Sequence, residues 1–174
     1  HGYDLADCRN YCMVGCIENF LPGQQPPWSD GRYNSPKYLE LALNDGKCLQ
    51  TGLQMGPATG GPETIHSMED FLTRLRLQME AGAARYMAFF RNENDRLNRE
   101  NYAQPFLSCF CELCIERALD LNDGGTKYPS AHGAGCMGIA TVADSLAAME
   151  QVIFTQKKAS LPELRDALAA DFQG

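Results

Sequence analysis

Cys16 and Glu18 are the two residues of this chain whose types and spacing best suit chemistry. They lie in a short apolar run directly after Gly15. If this run is extended, both side chains point to the same side of the backbone, because strand side chains alternate with a period of two. The thiol could then carry out hydrogen-atom or nucleophilic chemistry while the carboxylate moves protons. The alternative interpretation is a buried cysteine in an ordinary strand that ends in a carboxylate.

A metal cluster is one competing interpretation of the same cysteine. Cys8, Cys12 and Cys16 are spaced by four residues and would share one face of a helix. The cluster motif of radical-SAM enzymes leaves three residues and then two between its cysteines, whereas both gaps here are three. Gly15 and the apolar run also predict that a helix ends before Cys16. The spacing therefore disfavours a cluster.

A zinc site is a second competing interpretation. Its ligands would come from the remaining cysteines and a histidine: Cys109, Cys111, Cys114, Cys136 and His132. The first three lie in an apolar run that predicts a helix, so they cannot all face one metal, and core packing is favoured. A thiolate–imidazole pair of Cys16 and His132, suited to hydrolysis, has no local support.

The composition is that of an ordinary globular chain. Its 174 residues are 44% hydrophobic and 21% charged, which is enough for one core. The net charge of -7 argues against nucleic acid or an anionic membrane as partner. We find no apolar run of 18 residues and no signal-peptide pattern, so we expect a cytoplasmic location, with all eight cysteines as thiols.

Hydrophobic periodicity predicts a mainly helical chain with a few short strands. Helices are expected over 4–10, 36–45, 67–90, 105–121, 139–155 and 160–172. An extended segment is expected at 11–20, a loop at 21–32, a short strand and long loop at 47–64, and extended or looped chain at 128–138. Ser160 and Glu163 form a capping box, and the charged residues of 91–99 form a solvated face.

Five stretches carry a resemblance to a known family. Gly15-Cys16-Ile17-Glu18 resembles the Gly-Cys-Val-Glu loop of the glycyl radical enzymes, which are pyruvate formate-lyase-like, in their dehydratase, choline trimethylamine-lyase and decarboxylase branch. The other similar stretches are Asp7–Cys12, Leu39–Gly46, Gly124–Tyr128 and Ile139–Ala148. Adjacent cysteines would indicate the formate-lyase branch, and here a glycine precedes the cysteine.

The resemblance also nominates residues that bind the substrate. Trp28, Ser29 and Tyr33 stand 12, 13 and 17 residues after Cys16. In the choline trimethylamine-lyase branch an aromatic, a hydroxyl residue and a tyrosine occupy the same offsets. The resemblance implies that Ser29 and Tyr33 face the substrate and that Trp28 is a pocket wall. Alternatively, Trp28 and Tyr33 are core aromatics under a loop.

The resemblance implies a radical mechanism and its cofactor and partners. A glycyl radical on a glycine outside this chain would generate a Cys16 thiyl radical, which abstracts hydrogen from a small hydroxylated or amine substrate. Glu18 would assist elimination, making the protein a lyase or dehydratase that works anaerobically. The implied partners are this small-molecule substrate, a radical-SAM activating enzyme, the remainder of the enzyme and, in some members, a second copy in a homodimer. No metal is implied.

The implied fold is α/β, a portion of the ten-stranded glycyl radical enzyme barrel with a central cysteine finger loop. Residues 1–174 would form one internal portion, with the catalytic-cysteine loop at 11–33 and a helical remainder at 34–174. The Arg-Val-x-Gly-Tyr segment that carries the radical does not occur, so this portion alone should be inactive. Two alternatives stay open: a glycyl radical decarboxylase of an arylacetate-type substrate, and a non-catalytic helical or zinc-binding module.

Overall fold

The computed structural model describes residues 2–15, 18–26, 29–89, 103–129 and 132–173, with the backbone alone for residues 29, 30 and 132. The chain divides into two compact units. The first comprises His1–Gly31 and Ala88–Gly135, and the second comprises Arg32–Met87 and Cys136–Gly174. No helix within the described ranges is both long and apolar enough to cross a membrane.

Helices predominate over strands along the chain. In order, the elements are α1 (Leu5–Cys8), β1 (Cys12–Val14), β2 (Glu18–Phe20), β3 (Ser29–Asn34), α2 (Ser35–Leu43), a 3₁₀ turn (Pro62–Thr64), α3 (Met68–Phe89), α4 (Pro105–Ser108), α5 (Cys114–Arg117), a second 3₁₀ turn (Leu121–Asp123), β4 (His132–Met137), α6 (Ile139–Met149), a π-helical segment (Glu150–Thr155) and α7 (Leu161–Ala169). Strands β1 and β2 form one two-stranded sheet, and β3 and β4 form another.

The first unit contains a β-hairpin where the sequence predicts one extended segment. Strands β1 and β2 pair antiparallel, with Val14 opposite Glu18. The chain therefore reverses direction between these two residues, and the prediction of continuous extended chain over 11–20 is wrong. Gly15 favours the reversal, because its φ of +69° lies in the left-handed region that glycine adopts without strain.

The helix predicted over 105–121 is also wrong. The shorter helices α4 and α5 and a 3₁₀ turn replace it. Leu113 and Ala118 have φ values of +70° and +51°, and these left-handed residues bound α5 at its two ends. The Asp120 carboxylate accepts a hydrogen bond of 2.9 Å from the Asn122 N–H, a local side-chain-to-backbone contact that stabilises a turn in place of helix.

The second unit packs its helices around an apolar core. The buried members are Ala42, Leu43, Ile65, Phe71, Leu75, Met149 and Leu161. They come from α2, α3, α6 and α7 and from the segment before α3, so the apolar faces predicted from helical spacing meet here. Burying a large apolar side chain of this kind contributes about 1.5–3 kcal/mol.

Two predictions in this unit are confirmed and two need correction. The long helix is present as α3, and the capping box precedes α7, where the Ser160 N–H donates to Glu163 Oε2 at 2.7 Å. Helix α2 begins at Ser35, one residue before the predicted start at Pro36, and ends at Leu43, two residues before the predicted end. The short strand predicted after Gly46 is reduced to one bridge between Lys47 and Gln54. The predicted charged face at 91–99 lies outside the described residues.

Candidate active site

The Glu18 carboxylate lies against the backbone of Gly15 at the end of the hairpin. A Cβ atom on residue 15 would lie 2.7 Å from Glu18 Oε2, closer than non-bonded atoms approach. Gly15 therefore permits both the left-handed turn and the approach of the carboxylate. Because Gly15 is bonded to Cys16, the hairpin holds a proton-transfer group beside the residue that precedes the candidate thiol. The turn, and not strand alternation, produces this arrangement.

Three of the predicted site residues are described in part or not at all. Cys16 and Trp28 lie outside the described residues, and Ser29 contributes only its backbone, at the start of β3. The distance between the Cys16 thiol and the Glu18 carboxylate stays a prediction, as do the roles of Trp28 and Ser29 at a substrate.

Tyr33 is described in full and belongs to the second unit. Its hydroxyl donates a hydrogen bond of 2.8 Å to the Met79 carbonyl. Its ring stacks on Tyr38 with a centroid distance of 4.5 Å. Burial and the neighbouring Tyr38 hydroxyl raise the pKa of Tyr33, so it is a neutral phenol at physiological pH. These contacts are what the alternative of a packed aromatic predicts, and a substrate-binding role for Tyr33 stays a prediction.

A polar network ties three segments of the first unit together around Asp7. Asp7 Oδ2 accepts hydrogen bonds of 2.6 Å from Lys127 Nζ and 2.6 Å from the Tyr128 hydroxyl. Asp7 Oδ1 accepts one of 3.1 Å from Gln24 Nε2. These donors, Lys127 first, lower the pKa of Asp7 to about 2. Since α1 leads into β1 and Gln24 follows β2, the network holds both ends of the hairpin against one turn.

The sequence identifies the two stretches that this network joins, but it does not predict the contact between them. Both Asp7–Cys12 and Gly124–Tyr128 carry the family resemblance. No periodicity or spacing relates an aspartate to a lysine 120 positions later. The resemblance of both stretches was the available signal that they act together.

An open cleft of about 530 Å³ lies beside the hairpin within the first unit. Tyr3, Tyr11 and Phe20 supply aromatic walls, and Gln25 is buried at its edge. Gln25 Oε1 accepts a hydrogen bond of 3.0 Å from the Leu21 N–H, and its Nε2 donates one of 3.0 Å to the Tyr3 hydroxyl. The described lining of this cleft includes none of the predicted site residues, so we do not assign the chemistry to it.

The cysteines proposed as a zinc site differ in their surroundings. Cys109 is exposed, Cys111 is half-buried and Cys114 is buried. The prediction that core packing explains all three is therefore wrong for Cys109. Burial, above all, raises the pKa of Cys111 and Cys114, which favours the neutral thiols over metal-binding thiolates. In the described part of the chain, no three His, Cys, Asp or Glu side chains are grouped to hold a metal ion.

Cys48 has a polar setting that no sequence pattern indicates. Lys37 Nζ lies 3.0 Å from Cys48 Sγ and 2.7 Å from Glu40 Oε1. Lys37 and Glu40 are one turn apart on α2, and Cys48 follows the turn after this helix. A lysine eleven positions before a cysteine is not a recognisable motif, so only the fold reveals the pair.

Comparison with known proteins gives matches along the whole chain. The family model for pyruvate formate lyase-like proteins matches residues 1–174. The (2S)-3-sulfopropanediol dehydratase of Klebsiella oxytoca is 37% identical over 99% of this chain, and the match covers 21% of that relative. The trans-4-hydroxy-L-proline dehydratase of Clostridioides difficile is 31% identical over 99% of this chain and 22% of its own length. The chain thus spans about a fifth of the length of these relatives.

A solved structure supports the same relationship. The glycerol-bound B12-independent glycerol dehydratase of Clostridium butyricum superimposes with a TM-score of 0.87 at 32% identity. That match covers 98% of this chain and 21% of the dehydratase. The similarity therefore extends from sequence to backbone.

Proposed function

The chain belongs to the pyruvate formate lyase-like family of glycyl radical enzymes, and on that premise we propose that it is the catalytic-cysteine portion of a radical dehydratase or carbon–heteroatom lyase. One observation carries the assignment of residues. The Glu18 carboxylate folds over Gly15, directly before Cys16 in the chain. We place the portion, residues 1–174, within a ten-stranded barrel, with residues 11–33 as its central finger loop.

The hairpin fits a residue that relays a hydrogen atom. Glycyl radical enzymes carry a glycyl radical, here on a glycine outside the chain, and it supplies the unpaired electron. Cys16 gives up its thiol hydrogen, takes a hydrogen atom from a substrate carbon and returns it after elimination. In sequence, Cys16 belongs to the three-residue link between the paired strands β1 and β2, and we propose that this pairing preorganises it. Preorganisation of this kind lowers the cost of orienting the reacting groups.

Glu18 moves the proton in this proposal. Its carboxylate acts as a base toward a substrate hydroxyl, or in its protonated form as an acid toward the leaving group. Trp28, Ser29 and Tyr33 are proposed to contact the substrate, which is a small hydroxylated or amine compound. The relatives named as sulfopropanediol and hydroxyproline dehydratases support the dehydratase branch. A radical-SAM activating enzyme and the remainder of the barrel complete the proposed system, which we place in the cytoplasm, with a homodimer as its candidate assembly.

A decarboxylase is the second candidate, because one relative is named for that reaction. The indoleacetate decarboxylase of Tractidigestivibacter scatoligenes is 28% identical over 98% of this chain. In this case carbon dioxide, and not water or an amine, leaves the substrate, and Trp28 and Tyr33 would face an aromatic ring. Family membership argues against the third alternative, a non-catalytic helical or zinc-binding module.

The test uses the full-length, activated enzyme in deuterated water with glycerol, sulfopropanediol, trans-4-hydroxyproline and an arylacetate. Glu18→Gln should lower product formation by roughly 10²–10⁴-fold, the usual contribution of general acid–base catalysis. Solvent deuterium should still enter recovered substrate through Cys16, since hydrogen abstraction does not need the base. Glu116→Gln, an exposed position with the same charge change, is the matched control.

Three outcomes decide the role of Glu18. Loss of product with deuterium exchange retained supports proton transfer. Parallel loss of both means that Glu18 positions the substrate or the hairpin. If neither falls, Glu18 is a bystander. Carbon dioxide release from the arylacetate, with no dehydration of the other compounds, would replace the dehydratase by the decarboxylase.

A second arm of the test addresses Cys16. Cys16→Ala should abolish turnover of every substrate, while electron paramagnetic resonance still detects the glycyl radical. The reason is that Cys16 relays the unpaired electron and does not store it. Cys109→Ala, at an exposed cysteine outside the hairpin, should retain turnover. Product formation by the Cys16 variant would refute the assignment.

A further inference from the structure

Cys48 is a buried cysteine in the second unit that the proposed radical chemistry does not use. It is 4% exposed and follows the turn after α2. The Lys37 ammonium donates a hydrogen bond to its sulfur at 3.0 Å. Hydrogen bonds from Thr51 and from Lys37 lower the pKa of Cys48 to about 7. At neutral pH a large fraction of Cys48 is therefore thiolate, the reactive form of cysteine.

The surroundings hold the ammonium on the sulfur. Glu40 Oε1 accepts hydrogen bonds of 2.7 Å from Lys37 Nζ and 2.7 Å from the Leu49 N–H. Although burial opposes the charge, Glu40 and Cys48 together raise the pKa of Lys37, so it stays an ammonium. The Cys48 carbonyl accepts from the Gly52 N–H at 2.8 Å, which closes the turn that carries the sulfur. The pair is thus fixed from the helix and from the turn.

Cys114 shows that burial alone does not create this state. It is 3% exposed, about as buried as Cys48. Burial raises the pKa of the Cys114 thiol, and the neighbouring Cys111 and Asp120 raise it further. Cys48 receives hydrogen bonds from Thr51 and from the Lys37 ammonium, whereas burial, Cys111 and Asp120 outweigh the positive charge of Arg117 at Cys114.

We propose that Cys48, paired with Lys37, is an oxidation site at which hydrogen peroxide converts the thiolate to a sulfenic acid. The sulfur attacks one peroxide oxygen, so an S–O bond forms and the O–O bond breaks. Sulfur loses two electrons and the peroxide gains them. The departing hydroxide takes a proton from the Lys37 ammonium, which regains one from solvent, and leaves as water. This modification is separate from the chemistry proposed for Cys16.

The small exposed area of Cys48 favours a small oxidant. Cys48 is 4% exposed, which disfavours a bulky thiol or aromatic disulfide reagent, so we propose hydrogen peroxide, a far smaller oxidant, at this site. The added oxygen needs room beside Lys37, so oxidation should loosen the turn between Cys48 and Leu53, whose backbone groups are 2.9 Å apart. Oxidation at this site therefore changes the backbone next to α2.

The experiment treats reduced full-length protein with hydrogen peroxide under argon and quenches it by denaturation in dimedone. Mass spectrometry then measures the sulfenic acid adduct at each cysteine. Cys48 should react roughly five-fold to ten-fold faster than exposed Cys8 and Cys109, because its larger thiolate fraction outweighs its lower intrinsic nucleophilicity. Cys114 should stay the slower of the two buried cysteines.

Three lysine variants test the pairing. Lys37→Met should move the pH midpoint of the Cys48 reaction upward by about one unit, since loss of a nearby opposite charge has at least that effect on a pKa. Lys37→Arg, which keeps the charge, should preserve most of the rate. Lys47→Met removes the same charge from an exposed residue beside Cys48 in sequence and should leave the midpoint unchanged.

The outcomes decide the proposal even if one variant is destabilised. Cys48 reacting no faster than Cys114, or Lys37→Met matching the wild type, overturns it. If hydrogen exchange shows that Lys37→Met opens α2, the wild-type pH profile decides. A midpoint near pH 7 supports the pair, whereas a midpoint at the ordinary cysteine value of about 8.5 refutes it. Cys16→Ala should leave the Cys48 reaction unchanged, so failure of the radical assignment is distinguishable.

Discussion

Polar side chains position the hairpin of the first unit, whereas the second unit is built around an apolar core. In the first unit the Asp7 carboxylate joins α1, the segment after β2 and the turn at Lys127. In the second unit seven buried apolar residues from four helices and one connecting segment pack together. Directional hydrogen bonds define the position of a short loop that has little apolar area to bury. Apolar packing contributes more free energy of folding, but it fixes the position of a segment through the complementary shapes of the packed side chains.

The contrast suggests a division of labour within the chain. A loop that carries a reactive cysteine must keep a fixed position, but its own side chains must leave space for a substrate beside the cysteine. The helices of the second unit face no such demand and can bury apolar side chains such as Phe71 and Leu75 in a shared core.

The largest expected effect follows from removing a core side chain of the second unit. Phe71 is fully buried, and Phe71→Ala should cost about 3–5 kcal/mol of unfolding free energy through lost burial and a cavity. Hydrogen exchange in α2, α3 and α6 should accelerate accordingly, with little change in the hairpin. Leu72→Ala, at the next and exposed position of α3, should change stability by less than about 0.5 kcal/mol. Equal effects at both positions would contradict the core assignment.

A smaller effect on stability, with a large effect on activity, is expected at Gly15. Gly15→Ala should cost about 1–2 kcal/mol for the left-handed backbone. Its Cβ would also displace the Glu18 carboxylate, so turnover should fall as in Glu18→Gln. Gly52→Ala has the same kind of backbone, with φ of +70°, and no atom within 4 Å of the added carbon. If the two variants lower turnover equally, the contact with Glu18 is irrelevant.

The stability that the Asp7 network gives to the hairpin should depend on pH. The pKa of Asp7 is about 2 in the folded chain and 3.8 as an ordinary aspartate. Its stabilisation is therefore complete above about pH 4 and is lost as the pH falls toward 2. Pepsin, which works in this range, should begin to cut residues 11–21 as the acid opens the hairpin. In Asp7→Asn these cuts should appear across the whole acid range in which pepsin works, while the fragments from α3 serve as the internal reference.

The smallest effect is expected at the capping box of α7. Ser160→Ala removes the oxygen that accepts the Glu163 N–H at 3.3 Å and should cost about 1 kcal/mol. Hydrogen exchange should accelerate in the first turn of α7 alone. Ser145→Ala, within α6, removes a hydroxyl bonded to the Thr141 carbonyl and should be nearly neutral. A loss spread over the whole second unit would show that α7 is not capped locally.

Sequence patterns predicted local features well and contacts between distant segments poorly. The long helix α3 and the capping box at Ser160 depend on residues three or four positions apart, so periodicity reveals them. The helix predicted over 105–121 failed because Leu113 and Ala118 adopt left-handed backbone that neither residue favours by itself. Contacts of Asp120 and its neighbours override the local helical pattern there.

The sequence by itself determined the family, the identity of Cys16 and Glu18 as the candidate pair, and the helices that have a continuous apolar stripe. The family follows from the resemblance of short stretches to known sequences, and the candidate pair and the helices follow from residue types and short spacings; none of these needs a fold. Tertiary structure alone decided that Glu18 reaches Gly15 through a hairpin, that Asp7 meets Lys127, and that Lys37 lies on the sulfur of Cys48. Each of these depends on how a turn or a distant segment is placed, and the strength of a charge or hydrogen bond depends on distance in space and not along the chain.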